Sequence, residues 1–258
     1  MTQTLPTILA YYGKLPARGD FVGRRLPRET IALWDDWLQQ AVAASREAIG
    51  TTWLDLYLVS PLWRFFLPAG LCGAKPLAGV AMPSVDRVGR AFPMMIAAEL
   101  DAGTPSAAVL AGAQAWFEAI EALALSALAE DFPLDRLDAP IASVRSIAVD
   151  TAMSANDLGD IGCCLPLDGP EAARILAENS GGSDRSFWWT IGSEKVAPVL
   201  VLARGLPAPE GFAAFIDGDW AGWGWRLAAS PDNSEIIPAA SGALPSLEAE
   251  LLPWDREE

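Results

Sequence analysis

Apolar residues recur at helical spacing after residue 27, with Ile31, Trp34, Trp37, Leu38, Ala41, Val42, Ser45, Ala48 and Ile49 on one face. Asp35, Asp36, Gln39, Gln40, Arg46 and Glu47 take the other face, so the spacing predicts an amphipathic helix. Pro27 and Glu29 suit its first turn, and Gly50 suits its C-terminal cap. A second long helix is expected from Thr104 and Pro105 to about Ala129. There Trp116, Phe117, Ile120, Leu123, Leu125 and Leu128 lie on several sides, as in a helix packed within the fold.

The other apolar positions come in short runs. Thr7–Tyr12 reads as a first strand, and Asp55–Val59, Trp63–Leu67 and Leu77–Met82 as β-like runs. Further strands are expected at Ala91–Leu100, Arg185–Ile191 and Ala197–Arg204, with short helices at Pro170–Ala177 and Phe212–Ile216. Several runs are apolar almost throughout, which is the pattern of strands covered on both faces. Strands so covered, with helices between them, predict an α/β chain folded as a three-layer α-β-α sandwich. The short connections predict a mixed, partly antiparallel central sheet. With 258 residues, one domain over 1–225 is expected, followed by an acidic, Pro/Ala/Ser-rich tail over 226–258.

Charge changes the picture more than size does. The formal net charge is −15, and it is unevenly placed. Residues 1–100 carry ten Lys/Arg against eight Asp/Glu, whereas the rest carry eight against twenty-five. Such a chain is repelled by nucleic acid and by anionic membranes, so neither is an expected partner. A partner with a basic face, or a local basic patch within the first 100 residues, is the more plausible contact. No run approaches about 20 uninterrupted apolar residues. The N-terminus lacks a signal peptide's basic start and apolar core, and a cytoplasmic protein is expected. The chain has no histidine, which excludes Ser-His-Asp and Cys-His hydrolases and removes the commonest metal ligand. Three cysteines, two of them the adjacent Cys163 and Cys164, form neither a secreted disulfide framework nor an expected zinc site. No metal, cofactor or catalytic residue is expected.

Three segments could carry chemistry. The loop Lys14-Leu15-Pro16-Ala17-Arg18-Gly19-Asp20-Phe21 mixes turn formers with charge, as a partner-binding loop or as an ordinary connector. Met82-Pro83-Ser84-Val85-Asp86-Arg87-Val88-Gly89-Arg90 sets two arginines around an aspartate and a glycine. Guanidinium groups grip carboxylate or phosphate in a planar fork, but an Asp86–Arg ion pair that fixes a hairpin is the simpler reading. Ser180-Gly181-Gly182-Ser183-Asp184 precedes a strand and not a helix, which argues against an anion cradle. Trp188 and Trp189 must point to opposite faces of their strand, in the core or, less simply, at an interface.

These segments resemble the TagF family of type VI secretion-associated proteins. The likeness rests on Gly13-Lys14-Leu15-Pro16 with Arg18-Gly19-Asp20-Phe21, Trp34-Asp35-Asp36-Trp37-Leu38, and Trp63-Arg64-Phe65. Pro83-Ser84-Val85-Asp86-Arg87-Val88-Gly89-Arg90 with Phe92-Pro93 is its most specific part, echoed later by Phe187-Trp188-Trp189 and Gly205-Leu206-Pro207. The resemblance implies a cytoplasmic, non-catalytic protein that represses type VI secretion after translation, linked to a forkhead-associated scaffold protein. Lys14, Arg18, Asp20, Arg24, Asp86, Arg87, Arg90 and Trp188 are the candidate partner-binding residues. The alternatives are an enzyme acting on a phosphorylated substrate through Asp86, Arg87 and Arg90, and a structural subunit of the secretion apparatus.

Overall fold

The computed structural model describes residues 2–141, 147–148, 163–166 and 184–227. The expected helix at 170–177, the glycine turn before residue 184 and the tail beyond 227 lie outside the described residues.

Among the described residues, nine strands form one sheet. They are β2 (Ala10–Gly13), β3 (Val22–Arg24), β4 (Trp63–Leu67), β5 (Leu77–Met82), β6 (Met94–Glu99), β8 (Cys163–Pro166), β9 (Arg185–Thr190), β10 (Val199–Arg204) and β11 (Arg226–Leu227). Their order across the sheet is β11-β8-β10-β9-β4-β5-β6-β2-β3. Every neighbouring pair is antiparallel except β11 with β8, so the sheet is mixed. A separate two-stranded ribbon pairs β1 (Thr2–Gln3) with β7 (Ile147–Ala148). The pairing of β4 with β9 joins the strands of the first 100 residues to those of the last third.

Both sheet faces are covered. Phe66, Ala78, Val80, Met94, Ile96, Phe187 and Trp189 point into one core, beneath α3 (Ser106–Gly112) and α4 (Gln114–Ser126). Phe65, Leu77, Met95, Ala97, Trp188 and Val201 point into the other, beneath α1 (Arg28–Ile49) and α5 (Ala214–Asp217). Alternate residues of each strand thus serve opposite cores, which is why the runs are apolar at successive positions. The result is the three-layer α-β-α arrangement, with Trp188 and Trp189 on opposite faces as the strand period requires.

Two elements differ from the pattern read in the chain. Residues 53–58 form a helix, α2 (Trp53–Leu58), not a strand. Trp53 and Tyr57, four apart, stack at 4.7 Å and bury together against Val42 and Ile216. That packing outweighs the local alternation of Leu-Asp-Leu-Tyr-Leu. The helix expected from 104 to 129 is broken at Ala113 into α3 and α4, which meet at 74°. Gly112 weakens the helix at the break, and the bend lets Val109, Ala113, Trp116 and Phe117 all reach one core. Thr104 does not cap it: Pro105 stands at the N-cap, and the Thr104 hydroxyl donates to the Asp101 carbonyl at 2.7 Å. Among the described residues, no single helix is long and apolar enough to cross a membrane; the bent α3–α4 pair passes only by length and composition.

Candidate functional site

The two charged loops of the sequence meet. Gly13 ends β2 with φ of 143°, and the backbone of Pro93 and Met94 lies where its Cβ would be. Glycine is therefore required there, and the close approach sets residues 14–21 beside residues 83–93. The buried Ser84 hydroxyl donates to the Lys14 carbonyl at 2.7 Å. Beneath it, the buried Tyr57 phenol donates to the Ser84 carbonyl at 3.0 Å and accepts the Ser84 amide at 2.9 Å. Burial, partly offset by these backbone bonds, keeps the Tyr57 hydroxyl protonated well above the usual tyrosine range.

Residues 84–92 close as a hairpin, with Val85 bridging Ala91 and the Phe92 amide donating to the Ser84 carbonyl. Asp86 organises its tip. The carboxylate is buried, and Oδ2 accepts Arg90 Nε at 2.6 Å and faces Lys14 Nζ at 3.2 Å. Oδ1 accepts the amides of Val88 at 3.1 Å and Arg90 at 2.9 Å. Burial alone would raise its pKa. The bonds from Arg90, Lys14 and Val88 outweigh burial and hold the carboxyl well below the usual carboxylate range. The hairpin is clasped to the first loop by the Arg87 amide on the Arg18 carbonyl at 2.8 Å, and by Arg90 Nη2 on the Gly19 carbonyl at 2.7 Å.

What remains outside is a cationic and apolar face. Arg18, Asp20, Arg87, Val88 and Arg90 are exposed. Among the described residues, the Arg18 guanidinium donates only to the Ala17 carbonyl, at 2.9 Å. Among the described residues, the Arg87 guanidinium makes no hydrogen bond or ion pair. Phe21 is 45% exposed and Val88 70%, which places apolar surface on both loops. Phe21 is nevertheless held in place: it stacks on Tyr12 at 5.5 Å, meets the Phe92 edge at 4.8 Å, and has Lys14 Nζ 5.2 Å from its centre.

The candidates from the sequence therefore divide. Arg18, Asp20, Arg87 and Arg90 share the exposed face. Lys14 and Asp86 hold it together from within: Asp86 is 2% exposed and has no open oxygen. Arg24 pairs with Asp138, as does Arg25 at 2.9 Å, which ties the end of β3 to the segment after α4. Trp188 is corrected outright as a contact. It is 2% exposed, donates to Ser186 Oγ at 2.9 Å and packs among Trp34, Trp37, Phe65 and Phe215. A large aromatic on a central strand of a sheet covered on both sides has no route to the surface. Phe21, Val88 and Tyr57 were missing from the candidates; the signal for the first two was an apolar residue set among turn formers and charges.

Two cavities lie among the described residues. A narrow apolar cleft behind the hairpin, lined by Tyr57, Trp63, Met82, Pro93 and Phe215, has about 30 Å³ of open space, room for about one water. A shallow groove of about 320 Å³ runs between α4 and residues 136–141. Neither is lined by a carboxylate. Among the described residues, no group of three or more Cys, Asp or Glu is placed to hold a metal ion.

The family model described as TagF N-terminal domain, type VI secretion system-associated, matches residues 10–144, a span containing both loops. The solved structure of PA0076 from Pseudomonas aeruginosa PAO1 is similar, with 32% identity and a TM-score of 0.67. The alignment covers 91% of this chain and 99% of that one. No curated protein matches.

Proposed function

Because the chain belongs to the TagF family of type VI secretion-associated proteins, we propose that it is a cytoplasmic, post-translational repressor of type VI secretion. It works without catalysis, by binding another protein of the apparatus through the face built from residues 14–21 and 83–90. The partner in this reading is a forkhead-associated scaffold. One observation carries it: two separate loops are locked together by buried bonds, yet leave Arg18, Phe21, Arg87 and Val88 uncovered. Such rigid presentation of exposed arginine and aromatic side chains is what a protein contact needs, because little order must be gained on binding. The full occupancy of both Asp86 oxygens favours binding over proton transfer.

The test is co-precipitation of the purified forkhead-associated scaffold from the same organism, paired with a secretion assay. The wild type should retain the scaffold and repress secretion. Arg18→Glu and Arg87→Glu, shown to be folded by circular dichroism, should lose both. Equal retention by all three proteins would move the contact elsewhere, and no retention by any would refute the scaffold as partner.

A further inference from the structure

We infer that the face around Arg18 and Arg87 recognises an acidic, unphosphorylated protein segment in which an apolar side chain stands beside the carboxylates. This rests on the binding reading above and specifies the chemistry of the partner. The charge on the face comes from Arg18, Arg87 and Arg90, with Asp20 the one exposed acid among them, since Asp86 is buried and neutralised by Lys14 and Arg90. Among the described residues the Arg87 fork is uncommitted, and Arg18 spends one donor on its own loop. Arg87 Nη2 lies 3.5 Å from where a Gly19 side chain would begin, so its guanidinium spans the seam between the loops. Planar forks of this kind pair with carboxylates through two parallel bonds.

Phosphate is disfavoured by the backbone. Phosphate sites in loops recruit free main-chain amides. Here the amides of Asp86, Arg87, Val88, Gly89 and Arg90 all donate within the clasp, to the Arg90, Arg18 and Asp86 carbonyls and to Asp86 Oδ1. On the hairpin, side-chain forks are what remain to meet an anion. The apolar half of the motif comes from Phe21 and Val88, which flank those forks at the two loop tips. Desolvation by an apolar neighbour strengthens an arginine–carboxylate contact that open water would weaken.

The test is selection of a phage-displayed library of random dodecapeptides on the full chain, with the Arg18→Ala/Arg87→Ala chain as counter-selection. It needs no knowledge of the scaffold, so its failure is separate from failure of the scaffold co-precipitation. Recovered peptides should carry Asp or Glu next to Leu, Phe or Met. Synthesised and measured by fluorescence anisotropy, they should bind at least tenfold more weakly after Glu→Gln replacement in the peptide, a loss of about 1.4 kcal/mol. Val88→Asp should weaken them to a similar degree, and Arg87→Lys should restore only part of the Arg87→Ala loss. Recovery of neutral or basic peptides, or equal recovery on the doubly substituted chain, overturns the inference. So does tenfold tighter binding when phosphothreonine replaces the peptide glutamate. Tighter peptide binding after neutralising Glu248, Glu250, Asp255, Glu257 and Glu258 would instead assign the face to the chain's own acidic end, and would also overturn it.

Discussion

Asp86 shows how one residue can serve a contact face without touching a partner. Its carboxylate replaces water with four protein donors, and the exposed arginines take their positions from it. Asp86→Asn removes the charge that balances Lys14 and Arg90 and turns an amide N–H donor towards other donors. The expected cost is about 2 kcal/mol or more, read from urea unfolding. The pH dependence has a definite sign. The folded carboxyl titrates below its unfolded value of 3.8, so the unfolded chain takes up the proton first. The stability from Asp86 is present above the unfolded value and is lost as pH falls through it towards the folded one. Thermal unfolding followed down from about pH 5 should therefore fall less steeply in Asp86→Asn than in the wild type. Trp188 behaves oppositely to a surface contact: Trp188→Ala should cost about 3–5 kcal/mol through the cavity it leaves, and Trp188→Phe should bind the partner unchanged. Weakened binding by folded Trp188→Phe would return the residue to the interface.

At the scale of elements, a buried ion pair fixes α4 on the sheet. Arg64 on β4 grips Glu121 through Nε at 2.5 Å and Nη2 at 2.9 Å, and gives Nη1 to Gln114 at 2.6 Å. The Arg64 side chain is 4% exposed, and its guanidinium lies 5.5 Å from the Phe117 ring centre. Glu121→Ala leaves that cation buried with one neutral partner, at a cost of about 3 kcal/mol in chemical unfolding. An unchanged midpoint would mean that α4 is held by its apolar face alone. The amphipathic period of α1 was legible in the sequence because one stripe faces the core, and Thr30, Trp34, Trp37, Leu38, Ala41, Val42 and Ser45 are the residues buried there. The bend between α3 and α4 was not legible. Alanine-rich sequence is equally helical straight or broken, and Gly112 alone does not say that a helix ends there.

For the whole molecule, charge is distributed between parts and not along a uniform surface. A chain of net charge −15 sets three exposed arginines, Arg18, Arg87 and Arg90, on two neighbouring loops of its first 100 residues. A strongly acidic partner is repelled by the molecule at large and attracted at that face, which orients the encounter. Scaffold binding should weaken as ionic strength rises from about 0.05 to 0.5 M, mainly through a slower association rate. In Arg18→Glu and Arg87→Glu that salt dependence should flatten or reverse. Stopped-flow or surface-plasmon kinetics would decide this, and a salt-independent rate in the wild type would count against electrostatic docking.

The sequence by itself determined the layers. Runs apolar on both strand faces can be satisfied only by a sheet covered on both sides, and the period of α1 states which face does the covering. It also favoured an Asp86–Arg pair in a hairpin, because the turn between them is only a few residues long, and the structure pairs Asp86 with Arg90. Only the tertiary structure decided which charges stay available. Lys14, Asp86 and Arg24 look as exposed in the sequence as Arg18 and Arg87, and loop sequences carry no periodicity that tells inside from outside. Their fates depend on contacts across the fold: Lys14 with Asp86, Arg24 with Asp138, and the Gly13 backbone against Pro93. Those contacts exist because neighbouring antiparallel strands bring distant loops to the same end of the sheet, which is a property of strand order and not of any local stretch of chain.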